Sequence, residues 1–287
     1  MAALDGRPLA GAGRHLLLAP SALLVALFFL VPLGLTAAYS FGTTDLLSFE
    51  TRLGLSLENY RGLGDSVYLG AILRSVLLSL AATVACAVVA VPLAFFIVEQ
   101  RRRVQTLLLL AVVVPFWTSF VIRAYAWVNI LQNGGPLEGL LRRLGVIDGR
   151  LDLLYTPYAI AIGLVFSYLP LMVLPVYVAL ERRDPAVLEA AGDLGAHGAG
   201  LLLRVVVPLA GPGLVAGSVL VGIPALGEFV VPEILGGGKT LMLGNVIGSQ
   251  YMVVGDFSLG SAMAMTLMAL MCLVLLAAPI ARRGVAG

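Results

Sequence analysis

Charge is what this chain has least of. Asp, Glu, Lys and Arg make up 12% of its 287 residues, against about 25% in an ordinary soluble domain. So little charge cannot cover a globule of this length with a solvated surface, which excludes a soluble enzyme or carrier. Lys239 is the only lysine, beside seventeen arginines, and the net charge of +2 is too small to say anything of nucleic acid. Only two cysteines are present, Cys86 and Cys272, each inside an apolar run. Without a CxxC pair or a Cys/His cluster there is no disulfide framework and no zinc site to argue for.

What remains is apolar: 60% of the residues are hydrophobic and the mean hydropathy is +1.02. A membrane-spanning helix needs roughly 20 apolar residues. Six stretches qualify, at about Leu16–Ser40, Leu69–Val98, Val104–Leu131, Pro157–Leu180, Val205–Leu235 and Phe257–Ile280. Runs of this length without alternation are helical, because only helices and closed barrels satisfy their backbone within lipid. The expectation is an all-α polytopic membrane protein with six transmembrane helices and no soluble catalytic domain. The first stretch also invites a signal-peptide reading, since Arg14 precedes it and Thr36-Ala37-Ala38 closes it. Its apolar core is too long for that, and a retained helix is expected.

The arginines orient the chain. Arg7, Arg14, Arg101, Arg102, Arg103, Arg182, Arg183, Arg204, Arg282 and Arg283 fall in one set of connections. Arg52, Arg61, Arg142, Arg143, Arg150 and Lys239 fall in the other, diluted by Asp45, Glu50, Glu58, Asp65, Glu138, Asp148, Asp152 and Asp256. The first set, and with it both termini, is expected to be cytoplasmic.

The connection from Glu181 to Gly195 is the most informative segment. Asp184 suits an N-cap and Pro185 the first helical position, while Gly195 suits a stop. A short surface helix follows, with Leu188, Ala191 and Leu194 at three-residue spacing on one face. Ala190, Ala191 and Gly192 leave part of it flat enough for another protein to approach. The bland alternative is a plain surface connection.

Two of the spans carry unusual chemistry. The third holds Pro115, Trp117, Arg123, Tyr125 and Trp127; the fifth holds Pro224, Gly227, Glu228, Phe229, Pro232 and Glu233. An ionised group at mid-membrane costs about 2.5–3.5 kcal/mol on insertion scales and normally faces a cavity or a partner. Prolines and glycine beside it would interrupt the helix, as in transporters. Trp117, Arg123, Tyr125, Trp127, Glu228 and Phe229 are therefore candidates for a solute pathway. Competing readings are an interfacial belt for the tryptophans and, for Arg123 with Glu228, an ion pair or outward snorkelling. Gly213 and Gly217 read as helix packing.

Glu189-Ala190-Ala191, Gly195 three residues on, and Val205, Val207 and Pro208 after nine more resemble the EAA motif of binding-protein-dependent ABC importer permeases. The resemblance is to the type I, MetI-like architecture. It implies a single transmembrane permease domain over residues 1–287, with a first helix at about 16–40, core helices at about 69–280 and a coupling loop at about 181–204. It also implies that Glu189, Ala190, Ala191, Gly192, Gly195 and Pro208 dock the chain on a separate homodimeric ATPase, which would bind the ATP and magnesium. Trp117-Thr118-Ser119-Phe120 and Gly227-Glu228-Phe229-Val230-Val231-Pro232-Glu233 with Leu241–Ile247 are similar to the B-type permeases of spermidine/putrescine importers. That branch implies a second homologous permease, a periplasmic binding protein, a polyamine cargo and the bacterial inner membrane. Importers of an aminophosphonate, iron complex or oxyanion share the architecture. A non-transport scaffold is the reading from another class. Gly238-Lys239-Thr240 imitates the end of a P-loop, but Glu233 stands where its first glycine belongs, so no ATPase site is expected in this chain.

Overall fold

The computed structural model describes residues 20–285 apart from residue 22, with side chains as far as residue 279. Arg7, Arg14 and the start of the first stretch at Leu16 lie outside the described residues. Among the described residues, five helices are continuous and apolar enough to cross a membrane: α1 (Leu23–Ser40), α3 (Ser66–Val98), α7 (Pro157–Glu181), α9 (Gly198–Leu226) and α12 (Phe257–Val285). The short helix α2 (Glu58–Gly62) lies between the first two.

The third stretch is not one straight span. It divides into α4 (Arg102–Val113), closed by a 3₁₀ turn at Val114–Trp117, and α5 (Phe120–Leu131), followed by α6 (Pro136–Arg143). The two arms are bent by 96° at the break. Pro115 cannot donate to the helical ladder, and Thr118 continues in an extended conformation at φ −73°, ψ 155°. The fifth stretch starts earlier than expected, at Gly198, and is interrupted after Leu226; a second segment, α10 (Val230–Gly236), follows. Its start contains a π turn at Leu202–Val206. Pro208 leaves the Arg204 carbonyl without its usual donor, and a wider turn absorbs the misfit. Another π turn, Ala26–Leu30, precedes Pro32 in the same way.

The core is α3, α7 and α9. Ala82, Cys86, Ala90 and Ala94 form an i, i+4 stripe on α3 with no exposed surface, so small side chains let α7 approach along its length. On α9, a Cβ at Gly213 would stand 2.5 Å from the Pro175 carbonyl oxygen, and one at Gly217 2.5 Å from Met172 Sδ. The glycine pair is therefore a packing seam between α9 and α7. By contrast α1 is almost wholly exposed and packs chiefly on α12, with Ser40 at its end accepting from Asn59 and Tyr60 of α2.

At one end of the bundle, a two-stranded hairpin that the sequence pattern does not signal pairs Thr43 with Arg52 and Thr44 with Thr51. The Thr44 hydroxyl donates to Ser258 Oγ at 2.9 Å, tying the hairpin to α12. At the same end, α11 (Leu243–Ser249) lies against α3, where the Leu243 N–H donates to Ser75 Oγ at 2.7 Å. The opposite end carries α8 (Pro185–Asp193).

Candidate functional site

Four helices, α7, α9, α10 and α11, converge at the interruption of the fifth span. α9 ends at Leu226, and Glu228 follows with only 7% of its surface exposed. Its Oε1 accepts the backbone N–H groups of Phe229 at 3.0 Å, Val230 at 2.8 Å and Val231 at 3.4 Å. These are donors that the first turn of α10 leaves without helical partners. Its Oε2 accepts the hydroxyl of Tyr168 from α7. From the far side, Asn245 of α11 donates to the Phe229 carbonyl and to Glu233 Oε2, both at 2.9 Å. Gly244 lets the two segments meet, since a Cβ there would stand 3.0 Å from the carbonyls of Gly227 and Glu228.

The break in the third span is held differently. Arg123 is 9% exposed. Its guanidinium lies 5.3 Å from the Phe116 ring centre and 5.4 Å from that of Phe120, and donates to the Pro115 carbonyl at 3.3 Å. Phe120 in turn faces Tyr168, with ring centres 6.4 Å apart. Arg123 and Glu228 are thus neighbours through Phe120 and Tyr168. They are not ion-paired, and neither snorkels outward.

The remaining candidates separate. Trp117, Tyr125 and Phe229 are exposed, whereas Trp127 is half-buried edge-on to Phe166 with ring centres 5.4 Å apart. Tyr168, Asn245 and Ser75 escape sequence reasoning. The available signal is a hydroxyl or amide inside an apolar run, which must find a partner when buried. An apolar cleft of about 540 Å³ between α3, α9 and α12 offers little to a cation. Its Ser79 hydroxyl is committed to the Gly222 carbonyl at 2.9 Å and its Thr83 hydroxyl to that of Ser79 at 2.8 Å.

At the other end, α8 forms as the sequence predicts. Asp184 accepts the Ala186 N–H at 3.0 Å. Gly195, at φ +82°, closes the helix with bonds from Gly195 N to Gly192 O and from Ala196 N to Ala191 O, each 2.9 Å. Leu188 and Ala191 are half-buried, but Leu194 is the C-cap and points away, 89% exposed, so the expected three-residue face is incomplete. A Cβ on Gly192 would meet nothing within 4 Å among the described residues. Glu189 is exposed at the edge of a cavity of about 350 Å³ shared with Glu99, Glu181 and Arg183. Beneath it, Arg183 pairs with Glu99 and lies over the Phe95 ring, while Arg102 pairs with Glu181. Pro208 follows the π turn that opens α9.

The glycine-rich segment after α10 is a turn. Gly237 and Gly238 have positive φ, the Lys239 N–H donates to the Gly236 carbonyl at 3.1 Å, and the Lys239 ammonium lies 5.9 Å from the Tyr155 ring centre.

A family model described as the inner membrane component of binding-protein-dependent transport systems matches residues 88–283. The chain belongs to this family. The spermidine/putrescine transport system permease protein PotB of Escherichia coli (strain K12) is 40% identical to this permease over 252 residues, covering 88% of this chain and 91% of that one. PotB of Haemophilus influenzae is 39% identical, covering 86% of each chain. Among solved structures, a bacterial ABC transporter involved in import of the acidic polysaccharide alginate superposes with a TM-score of 0.71, covering 95% of this chain and 96% of that one at 16% identity. That likeness concerns the fold. The permease is a multi-pass inner-membrane protein of the ABC importer class, with the helical architecture expected from its apolar stretches.

Proposed function

We propose that this permease passes a polyamine of the spermidine or putrescine type across the inner membrane. A periplasmic binding protein delivers the cargo, and a second homologous permease completes the pathway. ATP hydrolysis on a separate homodimeric ATPase, which holds the ATP and magnesium, drives the cycle. The observation that carries the reading is the 40% identity to PotB over nearly the whole chain. The site chemistry supports it: exposed Trp117, Tyr125 and Phe229 offer ring faces to an ammonium, each contributing about 0.5–2 kcal/mol. Helix α8 is the ATPase dock. Its ion-paired base resists being pulled loose from the bundle, while Glu189, Ala190 and Leu194 present an exposed surface. Gly192, open on this chain's side, admits a close neighbour. The arginine-rich side and both termini are cytoplasmic.

The test is uptake of labelled spermidine and putrescine into proteoliposomes holding this chain with its co-encoded permease and ATPase, with binding protein outside and ATP inside. ATP-dependent uptake is expected. Glu189→Ala should lower it about tenfold while membrane insertion and basal ATP hydrolysis persist, as fits loss of a charge-assisted contact at the dock. Unchanged uptake in that variant removes Glu189 from the coupling role. ATP hydrolysis without polyamine movement redirects the search to another small solute, such as an aminophosphonate, iron complex or oxyanion.

A further inference from the structure

One carboxylate stands in the break before α10 and another within α10, and their surroundings differ. Both oxygens of Glu228 are occupied: Oε1 by three backbone N–H groups and Oε2 by the Tyr168 hydroxyl. An incoming ammonium would have to displace all of these to reach it. Glu233 is exposed. Its Oε2 accepts from Asn245, itself buried and anchored by accepting the Met242 N–H at 3.3 Å, and its Oε1 has no hydrogen-bond partner among the described residues. One helical turn away stands the exposed ring of Phe229, whose carbonyl accepts the Glu233 N–H at 3.1 Å. Residues four apart share a helix side, so a carboxylate oxygen and a ring face are offered together. A carboxylate in the segment that follows a membrane span is not stable facing lipid; an exposed one belongs on a watered path.

We infer that Glu233, aimed by Asn245 and backed by Phe229, is the carboxylate that contacts the cationic cargo, and that Glu228 with Tyr168 is a positioning pair that holds α10 in place. The inference rests on the polyamine reading above. An ammonium of the cargo donates to Glu233 Oε1 while the adjoining methylene chain and charge lie against the Phe229 ring. No covalent step is involved.

The test uses the complete assembly in proteoliposomes and reads two rates together: spermidine uptake and ATP hydrolysis stimulated by spermidine-loaded binding protein. In Glu233→Gln, uptake is expected to fall about tenfold or more, the range for losing a hydrogen bond to a charged group, while stimulated hydrolysis stays within about twofold. Glu233→Asp should retain most of the uptake. Tyr168→Phe, by contrast, should lower both rates in proportion and leave the amount moved per ATP unchanged. Should Glu233→Gln fail to assemble, Glu233→Cys in a Cys272→Ser background is assembled first and then modified. A sulfonatoethyl thiosulfonate should restore uptake and an aminoethyl one should not. Equal loss of uptake and hydrolysis in Glu233→Gln, unchanged uptake, or indifference to the sign of the added charge overturns the inference alone. A wild-type assembly that hydrolyses ATP and moves no polyamine overturns the substrate reading and this inference with it.

Discussion

At the break in the third span, the Pro115 carbonyl accepts from the Arg123 guanidinium and the Thr118 hydroxyl. At the break in the fifth, the N–H groups that open α10 donate to the Glu228 carboxylate. One interruption exposes the acceptor end of a helical segment and receives a cation; the other exposes a donor end and receives an anion. Each follows the sign of the helix dipole at that terminus. The two are not equally well satisfied. Both Glu228 oxygens are used, whereas the buried Nε of Arg123 has no partner among the described residues and its charge rests on two rings. An interrupted helix can therefore be pinned either by hydrogen bonds of fixed direction or by a ring-stacked cation, and this chain uses one of each within a few side chains.

Thermal unfolding of the detergent-solubilised protein would break or sharpen that contrast. Glu228→Ala should be the most damaging change. It leaves the Tyr168 hydroxyl and the opening N–H groups of α10 buried without an acceptor, at about 1–3 kcal/mol each, so a loss of folded protein is expected. Arg123→Ala should cost less, about 2 kcal/mol, because ring stacking on a desolvated cation and a hydrogen bond to one carbonyl are lost together. Tyr168→Phe should be mildest, about 1 kcal/mol, since the carboxylate keeps its backbone donors. If Arg123→Ala proved worse than Glu228→Ala, the stacked break would be the rigid one and the comparison would invert.

Much of this arrangement can be read from the chain directly. The spans follow from run length, α8 from Asp184, Pro185 and Gly195, and the interruptions from prolines and Gly227 set among apolar residues. The Gly213–Gly217 spacing was enough to expect packing. What cannot be read is set by distant partners. The fate of Glu228 depends on Tyr168, sixty residues earlier and on another helix. The 96° bend after Trp117 depends on where α5 finds α10 to pack on. Leu194 matched the spacing of Leu188 and Ala191 but sits at the cap, where the helix has already turned away. The hairpin at Thr43–Thr44 and Thr51–Arg52 is too short for any periodicity to register.

The length of α3 has a mechanical consequence. Its 33 residues make a rod of about 50 Å, longer than the hydrocarbon layer of about 30 Å it crosses. Near one end Ser75 grips the backbone of α11, and just past the other Glu99 grips Arg183 at the foot of α8. These two handholds stand about 36 Å apart along one lever. A tilt of about 10° imposed at the α8 end carries the Ser75 end through about 6 Å, more than a helical turn's rise. Pro92, lying close to Glu99, is where a rung of that lever is missing. Bending there is short-armed toward α8 and long-armed toward α11, so a small displacement at the α8 end would become a larger one beside Asn245 and Glu233.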